Sequence, residues 1–128
     1  MQDRSALETV REFWRLMATN NFQSVAAVLD EQFVLEWPQS NERILGAERF
    51  GRMNSEYEAH GAWKFKLNRL VAADTEVVTE VEVSDGVQNA RAISFFTVRH
   101  GMIIKLVEFW PEPYPAPQSR AHLAEPLV

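Results

Sequence analysis

ARAISFFTVRHGMIIKLVEFW, residues 90–110, decides how the chain folds. Two runs rich in β-branched and aromatic residues flank His100-Gly101, and a glycine there takes up a positive φ at no steric cost, as a tight hairpin turn needs. The same pattern extends upstream. Ala73-Asp74 and Asp85-Gly86 also sit between β-rich runs, so the spacing predicts four strands over 63–72, 75–84, 87–99 and 102–110. Beyond Trp110 come Pro111, Pro113, Pro115 and Pro117. Proline fixes φ and lacks an N–H, so the meander stops there and an extended tail follows, with a helical turn expected within 119–125.

N-terminal to the meander the apolar period changes from two to about 3.6. Ser5-Ala-Leu-Glu8 has the spacing of a capping box, and Leu7, Val10, Phe13, Trp14 and Met17 follow on one helical face. Asn20-Asn21 stops this helix. A second short helix over 22–29 carries Val25, Ala26 and Leu29. Residues 33–37 read as a strand ended by Pro38, residues 41–46 as a turn region, and 47–57 as a third helix presenting Phe50, Met53 and Tyr57.

Length and composition narrow the function. The chain has 128 residues, enough for one domain with its own core, and neither repeat nor linker divides it. It contains no cysteine, which excludes disulfides, thiolate nucleophiles and cysteine-held metals. The three histidines, His60, His100 and His122, share no metal-ligand spacing, so no metal and no cofactor is expected. With 13 Lys and Arg against 18 Asp and Glu, and no basic run, neither nucleic acid nor a membrane is an expected partner. Without an apolar leader or a membrane-length stretch, the expected location is cytoplasmic.

Two-residue loops at all three hairpins would set the register by counting, since directly opposed residues share a face. One face would then hold Trp63, Phe65, Leu67, Glu80, Arg91, Ile93, Phe95, Leu106, Glu108 and Trp110. The other would hold Lys64, Lys66, Val77, Thr79, Val81, Val83, Ala92, Ser94, Phe96, Val107 and Phe109. A β-bulge would exchange part of this assignment.

The order of elements resembles the nuclear transport factor 2-like superfamily, and within it the SnoaL-like polyketide cyclase and ketosteroid isomerase-related branch. Leu35-Glu36-Trp37-Pro38, then Gly46 opening the third helix, then the closing pattern from His100-Gly101 to Glu108-Phe109-Trp110, carry the likeness across nearly the whole chain. The resemblance implies an α+β fold: a cone-shaped, curved antiparallel sheet packed on three N-terminal helices, also termed cystatin-like. It implies a single domain over 1–128 with a proline-rich tail from 111. It also marks departures. Ketosteroid isomerases carry their aspartate base just before the proline of the first strand, where this chain has Trp37. Their oxyanion tyrosine aligns with Phe13. Indole takes no proton and phenyl donates none, so ketosteroid isomerisation by that route is not expected.

The superfamily hosts many reactions, so function must come from side chains. The expected catalytic group is Glu108, with Arg91 and Glu80 beside it on the concave face. They would form either an acid–arginine–acid cluster, as in the epoxide hydrolase relatives, or a cross-strand salt bridge worth about 0.2–1 kcal/mol. Phe13, Trp14, Trp37, Met53, Tyr57, Trp63, Phe65, Leu67, Ile93, Phe95, Leu106 and Trp110 are the expected wall of an apolar pocket, with core packing as the other reading. The expected partners are a small apolar, cyclic or aromatic molecule and a second copy of the chain. That copy would dock on the convex face through Val81, Val83, Ala92, Ser94, Phe96, Val107 and Phe109, with Lys64 and Lys66 at the rim. A binding domain without turnover and a protein-interaction module are the alternatives.

Overall fold

Alternation of apolar residues from Lys64 onward produces four strands of a six-stranded curved sheet in the computed structural model, which describes residues 3–128. Its strands are β1 (Leu29–Trp37), β2 (Glu42–Leu45), β3 (Lys64–Ala73), β4 (Glu76–Ser84), β5 (Asn89–Arg99) and β6 (Met102–Phe109), in spatial order β2-β1-β6-β5-β4-β3. The helices are α1 (Ala6–Ala18) and α2 (Ala47–Glu56), with a 3-10 segment (Phe22–Val28) between α1 and β1. The α+β, nuclear transport factor 2-like architecture is that expected, with two corrections. The sheet is mixed, because β1 runs parallel to β6. Residues 42–45, read as a turn, form β2, which pairs with β1 at the sheet edge.

The expected capping box closes α1: Ser5 Oγ accepts from the Glu8 amide at 3.1 Å, and Glu8 Oε1 accepts from the Ser5 amide at 3.1 Å. The inner face of α1 buries Val10, Phe13, Trp14 and Met17 against the meander. Phe13 meets Phe96 edge-on at 5.1 Å and Phe50 of α2 at 5.9 Å, so both helices are keyed to the sheet through one aromatic centre. Among the described residues no helix is long and apolar enough to cross a membrane. The tail over 111–128 is exposed throughout, with a 3-10 turn at Gln118–Arg120.

Three local features replace the register expected from counting. The β3–β4 turn lies at Asp74-Thr75, with Ala73 opposite Glu76, and a bulge between Leu67 and Arg69 shifts the pairing by one residue. The β4–β5 loop has four residues, with Ser84 opposite Asn89. A second bulge, between Thr97 and Val98, shifts β5 against β6. Each bulge reverses the faces on its far side.

The consequence is an exchange of side chains between the two faces. Val81, Val83, Ala92, Ser94 and Phe96, expected on the free convex face, are buried beneath the helices. Glu80, Arg91, Ile93 and Phe95, expected in the concave face, lie outside, where Val71, Val78, Phe95 and Val107 form one transverse row and Arg69, Glu80, Ile93 and Phe109 the next. Glu80 bridges Arg91 (3.2 Å) and Arg69 (3.3 Å) on that outer face. The expected Glu80–Arg91–Glu108 cluster is therefore not assembled, because Glu108 stands opposite Ser94 on the helix side.

Candidate functional site

The helices cover the sheet incompletely, and a cavity of about 770 Å³ remains between its concave face, α1 and α2. Helix α1 contributes Phe13, Trp14 and Met17, and α2 contributes Phe50, Met53 and Asn54, followed by Tyr57. Trp63, Phe65, Val83, Ala90, Glu108 and Trp110 come from the sheet and its ends, and Trp37 from β1.

Of the residues expected to wall a pocket, Phe13, Trp14, Trp37, Met53, Tyr57, Trp63, Phe65 and Trp110 line this cavity. The other four do not. Ile93 and Phe95 lie on the outer face, Leu67 pairs with Val81 and is 39% exposed, and Leu106 is sealed in the core. Sequence reasoning missed the rim residues Gln39, Ser40, Gln88, Asn89 and Glu112. Four of them sit in loops and Asn89 is the first residue of β5, positions where no apolar period marks a direction.

Glu108 is the central feature. It is 6% exposed, and its partners are neutral: Trp37 Nε1 donates to Oε1 at 3.2 Å and Ser94 Oγ donates to Oε2 at 2.7 Å. Burial pushes its carboxyl up from the ordinary carboxylate range, while the donors Ser94 and Trp37 oppose that shift in part. Neither side chain expected beside it, Arg91 or Glu80, faces it. Ser94 was the missed partner, since the predicted register had put it on the opposite face.

Side-chain amides fix the walls around this carboxyl. Asn20, held at φ 62° just beyond α1, accepts from the Trp63 amide at 2.7 Å and donates to its carbonyl at 2.8 Å. Gln39 does the same for Trp110, accepting at 2.6 Å and donating at 3.3 Å. Each amide copies the two-point pairing of a neighbouring strand, so both tryptophan backbones are held where the sheet itself supplies no partner. Trp14 is fixed through Nε1, which donates to Thr79 Oγ1 at 3.2 Å.

A carboxylate also anchors the chain over one side of the mouth. Asp85 accepts from the backbone amides of His60 (2.8 Å), Val87 (2.9 Å) and Gln88 (2.6 Å) and from Gln88 Nε2 (2.8 Å). Burial alone would raise its pKa, but these donors outweigh it and hold the carboxyl well below the usual range. The amides of Val87 and Gln88 explain the four-residue turn, because the Asp85 side chain wraps it from within. Among the described residues, no group of three or more His, Asp or Glu side chains is placed to hold a metal ion.

Comparison with known proteins agrees with this architecture. The family model described as "SnoaL-like domain" matches residues 10–106. A candidate ketosteroid isomerase from Kribbella flavida DSM 17836 is 30% identical, superposes with a TM-score of 0.85, and is matched over 94% of this chain and 87% of its own. An NTF-2 like protein of unknown function from Burkholderia xenovorans LB400 is 23% identical with a TM-score of 0.78, over 96% of this chain and 95% of its own. An LEH-like epoxide hydrolase from M. tuberculosis is 22% identical with a TM-score of 0.67, over 83% of this chain and 82% of its own. No curated protein matches the chain. With the family pattern spanning most of the sequence and the fold shared from end to end, the chain belongs to the SnoaL-like domain family.

Proposed function

We propose that the protein is a small-molecule enzyme in which Glu108 exchanges a proton with a compact cyclic or aromatic compound held in the aromatic cavity. The observation that carries this reading is a buried carboxyl at the cavity wall whose hydrogen-bond partners are an indole and a hydroxyl, with no cation among the described residues to fix it as a structural ion pair. A group so placed crosses between its acid and base forms at a higher pH than an exposed carboxylate, in the direction acid–base catalysis requires. Ser94 suits either state: its hydroxyl donates to the carboxylate and turns to accept from the acid. Trp37, where ketosteroid isomerases carry their base, serves here as a donor that orients Glu108. The names of the structural relatives, a candidate isomerase and an epoxide hydrolase, are those of reactions that move protons.

The test is deuterium incorporation next to the carbonyl of cyclic ketones, with and without an amino group, followed by NMR in heavy water. The native chain should accelerate exchange for those that bind, and Glu108→Gln should lower the rate by about 10²–10⁴ with little change in KM. Exchange equally fast in Glu108→Gln, or no acceleration with any bound ketone, would leave a binding domain without turnover.

We also propose that the outer face of the sheet joins two copies. Phe95, 42% exposed, packs edge-on against Phe109 at 6.0 Å amid Val71, Val78, Ile93 and Val107, with the Arg69–Glu80–Arg91 bridge among them. An apolar strip crossed by both charge signs is self-complementary under a two-fold axis.

A further inference from the structure

The lining of the cavity is uneven in charge. It contains two carboxylates, Glu108 in the wall and Glu112 at the mouth, and no Lys, Arg or His among the described residues. Five of its side-chain donors are committed within the protein. Trp14 and Trp37 donate through their indole N–H groups to Thr79 and Glu108. The amides of Gln39, Asn54 and Gln88 donate to the carbonyls of Trp110, Phe50 and Glu58. An anionic ligand would meet repulsion from Glu112, and from Glu108 whenever it ionises, and find no counter-charge. A cation would meet the opposite: four tryptophans, Trp14, Trp37, Trp63 and Trp110, line the same space as the two carboxylates. Aromatic faces attract a cation through their quadrupole, and the attraction strengthens where water is excluded.

We infer that the ligand of this cavity carries a cationic nitrogen, as a protonated amine or a quaternary ammonium on a compact apolar body, with Glu108 as its counter-charge. The inference rests on the proposed acid–base site and deepens it by naming the ligand class. Glu108 is hydrogen-bonded to Trp37 from β1 and Ser94 from β5, shares the cavity with Trp110 and Glu112, and has no cation among these neighbours. A bound ammonium supplies the charge that this environment withholds, so it draws Glu108 into its carboxylate form. The same event makes Glu108 a base toward a carbon-bound proton of that ligand. The net charge of −5 favours the approach of such a molecule over that of a carboxylate.

Three ligands of one shape decide it: cyclohexylammonium, cyclohexanol and cyclohexanecarboxylate, titrated against the native chain with tryptophan fluorescence as the readout. The ammonium should bind at least about tenfold tighter than the alcohol, and the carboxylate weakest of all. Glu108→Gln should erase the preference for the ammonium while keeping the affinity for the alcohol, and Glu112→Gln should keep most of the preference. An alcohol that binds the native chain as tightly as the ammonium overturns the inference, and so does the absence of binding by all three. A preference that survives in Glu108→Gln overturns the assignment of Glu108 as counter-charge. The order among the three ligands on the native chain stands whether or not either variant folds. An alcohol-first order leaves proton transfer by Glu108 intact, because deuterium exchange reads that separately.

Discussion

Replacing Glu108 with glutamine should stabilise the protein at neutral pH and leave it little changed in acid. Glutamine keeps the shape, its carbonyl still accepts from Trp37 Nε1, and its amide donates to a Ser94 hydroxyl turned to accept, so the side chain keeps both partners. What it removes is a proton linkage. The folded-state pKa of Glu108 is raised above that of the unfolded chain. Below the unfolded pKa both states hold the proton and the difference vanishes. Between the two pKa values the unfolded state gives up its proton and the folded state does not. Native stability then falls as pH rises, by up to about 1.4 kcal/mol for each pH unit in that window, and levels off above the folded pKa. For a chain of this size that corresponds to about 4–5 °C in Tm per unit. Urea unfolding of both proteins at intervals from pH 4 to 8 gives the difference directly, and groups that titrate alike in both, Asp85 included, cancel. Curves that stay parallel, or a native chain that gains on the variant as pH rises, would show that Glu108 is not held toward its neutral form.

Adjacent residues on β5 test the register. Phe96→Ala should cost about 3–5 kcal/mol by urea unfolding, and Phe95→Ala under about 1 kcal/mol, since only the first is sealed beneath α1. Equal costs would mean the bulge after Thr97 is misplaced. Phe95→Glu should convert dimers to monomers by light scattering, and a native chain already monomeric at micromolar concentration would end the proposed pairing. Asp85→Asn should weaken the turn over 85–88 and speed hydrogen exchange at the amides of His60 and Gln88. Because the Asp85 pKa is depressed, its contribution is present above the unfolded pKa and lost as pH falls through the folded one, so native and variant chains should converge in acid.

Helices, strands and the family were legible because they rest on local signals: the capping box at Ser5 and Glu8, the 3.6-residue period of α1, and the turn glycines at Gly86 and Gly101. The face of each strand was not legible. In β5 the sequence Ala92-Ile93-Ser94-Phe95-Phe96 is apolar or small on both sides, so alternation does not say which side meets the helices. Neither bulge carries a glycine or proline to announce it. The parts of β3 and β6 beyond the bulges reverse together, which moved Ser94 toward Glu108 and took Arg91 away. The cavity wall survived this error because its aromatics come largely from α1, α2 and strand ends rather than from mid-strand positions. The small edge strand β2 was hidden because its four residues, Glu42-Arg43-Ile44-Leu45, give too short a pattern beside Asn41, whose positive φ reads as a turn.

Glu108 is either a proton-exchanging group or an ordinary buried carboxylate. Titration of its side-chain carbonyl by carbon-13 NMR, assigned with Glu108→Gln, answers that without a substrate. The predicted result is a midpoint above the ordinary carboxylate range, moving higher in Ser94→Ala because a donor to the ionised form is lost. A midpoint at or below that range, or one indifferent to Ser94, would contradict the account and reduce Glu108 to a structural acceptor for Trp37.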